Sequence, residues 1–532
     1  MSPNPEAMAR ATAALQTYLS NPTDVDAARM AAAALANAGQ WELAATVRGQ
    51  LIERGNASSA DFLMYGYCLV EAGALDQARA LAARLPELFR ELDGEQRAMM
   101  GPLADQIYGT AVPRAFATPW DGAEVILDLL MPNEPFGRLL LGLDQPEADG
   151  VPRPSRLEDD AVAAFVADRQ AAVVSGRVVP PLAGEAQAVH RQAVERYRGK
   201  RMLIVYREFY WPSGQSQRHP AGDYLAESAR GIGLEVRHIR SDDACAGWSR
   251  GPARMAGDLA EIEHAIIDWR PDVVVYDNFG DGENHAFARL IGNLQAEIGF
   301  KLVGLYADVW AGSRIAALQG GAGRLDVAWF MDTTLPDEAL EVIPNGLGTM
   351  PPFPETPFAA AQRRNQRTIG LGFIGSCGQS NYARGIWIMA ARRRGMPLHA
   401  EMGFPVNTRY DGVEGFADFL ASCRTSLCVC GRNITQTALP GRVWEGIYAG
   451  SALLTDDCAD LLQVLVPFAH YIPFRTLDEL EFYAGFLERN PDTRQAIADA
   501  ALAFTRERYA PVRAWRQVLD RAFGEDQADG AR

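Results

Sequence analysis

The feature that most limits how this chain folds begins at Lys200. From there, short runs of β-branched and aromatic residues alternate with helical stretches. RMLIVY (201–206) reads as a buried strand followed by a turn-rich loop, and DYLAESARGIGLEVRHI (223–239) as helix, Gly turn and strand. A helix around 255–268, the strand DVVVYDN (272–278), a helix around 284–297 and the strand KLVGLYADVW (301–310) follow. Strands that are apolar along their whole length need cover on both faces, and strands alternating with helices imply a parallel sheet.

A second such set starts near 366. RTIGLGFIGS (367–376) runs from a strand into a Gly-rich turn, with a helix predicted at 382–394 and the strand LHAEMG at 398–403. A helix at 415–421 precedes the strand TSLCVC (425–430), and the loop GRNITQTALPG (431–441) leads into a helix over RVWEGIYAG (442–450). The strand SALLTD (451–456) comes next, and Leu477 to Phe523 is helical with a break at Pro511. Between the sets, VIPNGLGTMPPFPETP (342–357) has the prolines and glycines of an interdomain hinge. Doubly wound sheets bind ligands beyond the carboxyl ends of their strands, where strand order reverses, so the cleft between the two units is the natural site.

The first 110 residues have a different texture, Ala- and Leu-rich at helical spacing. GQWELA from Gly39 recurs as GALDQA from Gly73, an offset of 34 that also relates Leu35 to Leu69, Ala44 to Ala78 and Leu51 to Leu85. A Gly at the turn and small residues at helix crossings describe a helix–turn–helix repeat. Such repeats usually hold another polypeptide, which implies a protein partner. Residues 111–196 are less regular and read as a connector with some helix; the apolar patch VILDLLM (125–131) predicts packing against a neighbour. The tail, 524–532, is polar and reads as disordered.

Charge excludes some functions. With 51 basic against 67 acidic residues the net charge is −16, which disfavours an extended nucleic-acid footprint or a polybasic membrane anchor. No signal-peptide core opens the chain and no 18-residue apolar run exists, so a cytoplasmic location is expected. The seven cysteines (68, 245, 377, 423, 428, 430 and 458) show neither a disulfide framework nor paired zinc-ligand spacing, and SLCVC (426–430) reads as strand core.

Three stretches resemble GT-B glycosyltransferases of the group 1 kind, in the branch related to spore-maturation proteins. They are GFIGSCGQSNYARG (372–385), PGRVWEGIYAGSALLTDD (440–457) and the closing helices from LDELEFYAGFLERNPDTRQAIADAA (477–501). The period and the Gly-x-aromatic-x-x-Ala pattern around Trp41 resemble tetratricopeptide repeats, although Leu75 replaces the aromatic in the second copy. The implied fold class is α/β: two Rossmann-like doubly wound lobes (GT-B) preceded by an all-α helical-repeat domain. Residues 1–110 are then repeats, 197–345 the N-terminal lobe on the acceptor side, and 346–523 the C-terminal lobe on the nucleotide-sugar side.

The implied chemistry is sugar transfer from a nucleotide-activated donor, with no cofactor and no metal. A leaving nucleotide diphosphate gains negative charge, so cations and N–H groups must already be in place. Gly375 and Ser376 can present N–H groups to a phosphate, Arg442 a guanidinium, and Glu445, one helical turn on, the carboxylate that in the family takes the ribose hydroxyls. Asn433, Thr435 and Gln436 are further donor-side candidates. Many relatives carry a second Glu eight residues before this one; here Thr437 stands there, which leaves the stereochemistry open. For a base, Asp308 at a predicted strand end comes first and His219 in the long loop after the first strand second, with His285 and Asp277 behind them. Read as solvated surface instead, Arg442 and Glu445 form an i,i+3 ion pair, and Arg392-Arg393-Arg394 is a helix end.

The architecture favours a protein acceptor held by the repeats, as in flagellin glycosyltransferases. The alternatives are a transferase for surface polysaccharide or lipid-linked glycan, a non-catalytic adaptor on a decayed GT-B unit, and a sugar-nucleotide epimerase.

Overall fold

A computed structural model of the chain describes residues 5–85, 107, 125–126, 151–181, 183, 195–207, 221–241, 252–277, 285–306, 325–330, 343, 345–350, 352–377, 381–402, 412–431 and 439–524. It opens with five helices: α1 (Pro5–Ser20), α2 (Val25–Asn37), α3 (Trp41–Glu53), α4 (Ser59–Glu71) and α5 (Leu75–Ala82). The offset of 34 has a physical counterpart. Gly39 and Gly73 take φ of +73° and +78° just past α2 and α4, and the N–H groups of Gln40 and Ala74 bond the carbonyls of Leu35 and Leu69, both at 2.8 Å. All six residues of the three related pairs are buried, and the alanines among them let helices approach closely. Asp61 closes a capping box with Ser58 at the start of α4, and it accepts hydrogen bonds from Arg29 of α2 and Arg48 of α3, so one buried carboxylate ties three helices together.

The described parts of the connector are anchored. Val125 and Ile126, from the predicted apolar patch, are buried. Helix α6 (Asp159–Val174) lies against the C-terminal lobe through Phe165 on Phe468 and a bidentate Arg489–Asp159 pair. Just before it, Arg153 donates to both oxygens of Asp457 (2.6 and 2.7 Å) and to Glu479 (2.8 Å).

The first α/β lobe runs β1 (Arg201–Tyr206), α7 (Ala221–Gly231), β2 (Glu235–Arg240), α8 (Pro252–Trp269), β3 (Val273–Asp277), α9 (His285–Ile298), β4 (Lys301–Tyr306), β5 (Val327–Phe330) and β6 (Gly346–Gly348). Its six strands are all parallel, in the order β2-β1-β3-β4-β5-β6. The predicted hinge at 342–357 therefore needs correcting: Gly346–Gly348 pairs with β5 as the edge strand. Asp326, just before β5, accepts from Lys301, Gln295 and the Leu302 N–H and fastens that edge.

The second lobe runs α10 (Thr356–Arg364), β7 (Ile369–Gly375), α11 (Tyr382–Arg393), β8 (Leu398–Met402), α12 (Gly412–Ser422), β9 (Cys423–Cys428), α13 (Arg442–Tyr448), β10 (Ala452–Asp456), α14 (Ala459–Val464) and β11 (Ile472–Phe474). Its strand order is β11-β10-β9-β7-β8, again all parallel. Helices α15 (Leu477–Arg489), α16 (Pro491–Arg508) and α17 (Pro511–Phe523) close the chain, each of the last two with Pro in its first turn. Helix α17 crosses back to the first lobe, where Trp515 packs on Trp329 and its indole N–H bonds Ser228 Oγ at 2.9 Å. The fold is thus two doubly wound parallel sheets behind an all-helical region.

The arginine run at 392–394 is a helix end, as read from the sequence: Arg394 pairs with Asp478 and Glu481. The six described cysteines are buried free thiols, and burial pushes Cys423 and Cys377 up to about 12. No helix among the described residues is long and apolar enough to cross a membrane.

Candidate functional site

In the second sheet the chain goes from β7 to β8 on one side and then to β9 on the other, so strand order reverses between β7 and β9. Helices that leave adjacent strands in opposite directions open a crevice at that point, beyond the carboxyl ends. Gly375 ends β7 and Ser376 follows it. A Cβ on Gly375 would stand 1.6 Å from Arg442 Nη1, so only glycine lets this guanidinium lie across the strand end. Arg442, the first residue of α13, donates from Nη1 to the Ile374 carbonyl (2.6 Å) and lies over the Phe373 ring at 5.4 Å. Helix α11 starts at Tyr382, so Gly375 and Ser376 end the strand and do not open the helix. Asn381 links the two by donating to Ser376 Oγ at 3.1 Å.

Glu445 lies on the same helix, 5% exposed. The only side-chain hydrogen bond it makes among the described residues comes from Tyr224 Oη, at 2.9 Å to Oε1, and Tyr224 belongs to α7 of the first lobe. Burial pushes this carboxyl up to about 7, while Arg442 and the Tyr224 bond pull the other way. The i,i+3 ion pair does not form: no acid pairs with Arg442 among the described residues, and Glu445 is buried instead of surface-exposed.

Three contributors were not singled out from the sequence. Arg384, buried in α11, donates to the carbonyls of Val429 (3.2 Å) and Ser376 (3.5 Å), one on each side of the crevice. Asp456, at the end of β10, accepts from the N–H groups of Cys430 (2.6 Å) and Gly431 (2.9 Å) and so fixes the start of the 431–441 loop. Burial raises its carboxyl to about 6 against those two bonds. Tyr224 is the third. Arg384 stood inside the quoted 372–385 stretch and Asp456 among the adjacent acids of 440–457, so a signal existed for both. For Tyr224 there was none, because it reaches a residue 221 positions away.

Asp308, His219, Asn433, Thr435, Gln436 and Thr437 lie outside the described residues, as does the His285 side chain. Asp277 is held in a bidentate pair with Arg207 (2.5 and 3.0 Å).

Residues 391–520 match the family model described as glycosyl transferase-like. The match covers most of the second lobe, including Arg442, Glu445 and Asp456. No curated protein matches the chain's sequence. Similar solved structures include Anabaena HepE with UDP and glucose, at 9% identity over 60% of this chain and 98% of that one, with a TM-score of 0.39. Sucrose-phosphate synthase of Thermosynechococcus elongatus is 12% identical over 61% and 99%, with a TM-score of 0.40. A mutant O-GlcNAc transferase of Thermobaculum terrenum is 13% identical over 99% and 96%, with a TM-score of 0.33. Likenesses this loose say nothing of what this chain binds.

Proposed function

We propose that the chain is a metal-independent GT-B glycosyltransferase that takes a nucleotide-activated sugar at the crevice between β7 and β9. One observation carries this. Arg442, free of any acid partner among the described residues, and the buried carboxylate Glu445 stand on one helix at the switch point of the lobe that the glycosyl transferase-like model matches. When the glycosidic bond to the donor breaks, negative charge builds on the leaving diphosphate. The remaining N–H groups of Arg442 and the backbone after Gly375 are fixed in advance to meet it. Glu445 accepts the ribose hydroxyls, and Asn433 and Gln436 contact the base or the diphosphate.

The acceptor hydroxyl reaches the sugar from the first lobe, where Asp308, or else His219, takes its proton. The acceptor is a protein, flagellin-like, held in the cytoplasm by the tetratricopeptide-like repeats of 1–110. The second repeat's turn, which reproduces the first, supports that part of the reading.

The test is a thermal-shift panel of UDP, GDP, dTDP and CMP on the full chain and on Arg442→Ala. Binding to the native state raises Tm by mass action. One nucleotide is expected to stabilise the wild type and not the variant; no shift with any of them overturns the reading.

A further inference from the structure

Tyr224 and Glu445 belong to different lobes, and the hydrogen bond between them crosses the cleft. The phenol is well supported. Its ring packs edge-on to Phe353 at 5.2 Å and against Phe358 at 6.0 Å. Phe353 in turn presses on the start of α13, where a Cβ on Gly441 would stand 2.7 Å from its ring. Tyr224, Phe353 and Gly441 thus form a packed stack that ends beside Arg442 and Glu445.

The chemistry of this contact is that of a stand-in. A phenol O–H and a ribose hydroxyl are both neutral donors to a carboxylate. Glu445 is nearly closed to solvent and Tyr224 occupies Oε1, so a ribose hydroxyl that takes the same place must displace the phenol. The carboxylate has a single hydrogen bond among the described residues, whereas a vicinal diol offers two donors. Exchange of one phenol for two ribose hydroxyls therefore gives the buried carboxylate one more donor, and it breaks a link between the lobes.

We propose that Tyr224 is a donor-responsive latch: its hydroxyl holds on Glu445 the place of one ribose hydroxyl, and a nucleotide binds by displacing it. This rests on the reading of the second lobe as the donor site. The energetic consequence has a definite sign. Tyr224→Phe keeps the aromatic packing but strips the buried carboxylate of its donor in the free protein only. The bound state, where ribose supplies the donors, is untouched, so affinity rises.

The experiment is calorimetric titration of the full-length wild type, Tyr224→Phe and Arg442→Ala with UDP, GDP and their 2′-deoxy counterparts. The latch predicts that Tyr224→Phe tightens the ribonucleotide by roughly 10- to 100-fold, the worth of one hydrogen bond to a charged group. The 2′-deoxy form, which offers the carboxylate one donor fewer, should bind both proteins more weakly and show a similar gain on Tyr224→Phe. A nucleotide that binds the variant but not the wild type supports the latch still more strongly. If the wild type binds and Tyr224→Phe binds equally or more weakly, the latch is wrong while the donor site stands. If neither protein binds any nucleotide, the donor site and the latch fail together.

Discussion

The two parallel sheets have the same kind of crevice, yet they furnish it differently. In the first lobe, order reverses between β1 and β3, and the charges placed there, Arg207 and Asp277, meet in a bidentate pair with side chains 4% and 2% exposed. In the second, Arg442 spends one N–H on a carbonyl and Glu445 takes a phenol, and the two do not pair. Charges that pair with one another in a buried site have much of their field already neutralised. A cation on a carbonyl and a carboxyl group on a neutral donor are not neutralised by one another. The contrast is what the proposed donor site in the second lobe would require.

The comparison can be broken by substitution. The largest effect is expected in the first lobe. Asp277→Ala takes the bidentate carboxylate from the buried Arg207 guanidinium and should cost about 3–5 kcal/mol in denaturant unfolding, with nucleotide affinity unchanged in whatever remains folded. Lost affinity at constant stability would mean that this pair serves the ligand.

Glu445→Gln should act in the opposite direction. A carboxyl raised from 4.5 to about 7 by burial favours the protonated form in the folded state. Its cost to stability is therefore absent below about pH 4.5, grows as pH rises, and is complete above about pH 7. Its size is on the order of 3 kcal/mol. The Gln variant should be more stable than wild type at pH 8, flatter in stability between pH 4.5 and 7, and weaker in nucleotide binding. Melting curves across pH check the first two; a variant less stable at pH 8 would show that the carboxylate is well solvated. Asp456, raised to about 6, contributes with the same sign at lower pH.

Gly375→Ala should be the mildest for the fold and the most pointed for the site. The new methyl group displaces the Arg442 guanidinium, so nucleotide affinity should fall by about 1–2 kcal/mol, near the worth of a charge-assisted hydrogen bond. Unchanged binding in titrations of this variant would remove Arg442 from the donor site.

Much of this was legible in the sequence, for physical reasons. The strands buried on both faces, such as RMLIVY and SALLTD, declare themselves because both faces must be apolar. The repeat was visible because two turns with positive φ both need glycine, at Gly39 and Gly73. Gly346–Gly348 was not, since a three-residue edge strand is made by backbone pairing with β5 and has no side-chain pattern of its own. Pro467 to Phe474 hid β11 in the same way. Of the residues at the crevice, Arg442 and Glu445 share a helix and could be placed together from their spacing, and Gly375 stood at a legible strand end. What holds Glu445 could not be read, because the contact with Tyr224 exists only once two lobes have folded and met.

The most direct test of the central claim is hydrogen–deuterium exchange on the full chain with and without the nucleotide that stabilises it. The account predicts added protection at residues 372–377, 428–431 and 440–448, the ends of β7 and β9 and the start of α13. Protection confined to the first lobe, around 201–207 and 273–277, would contradict it.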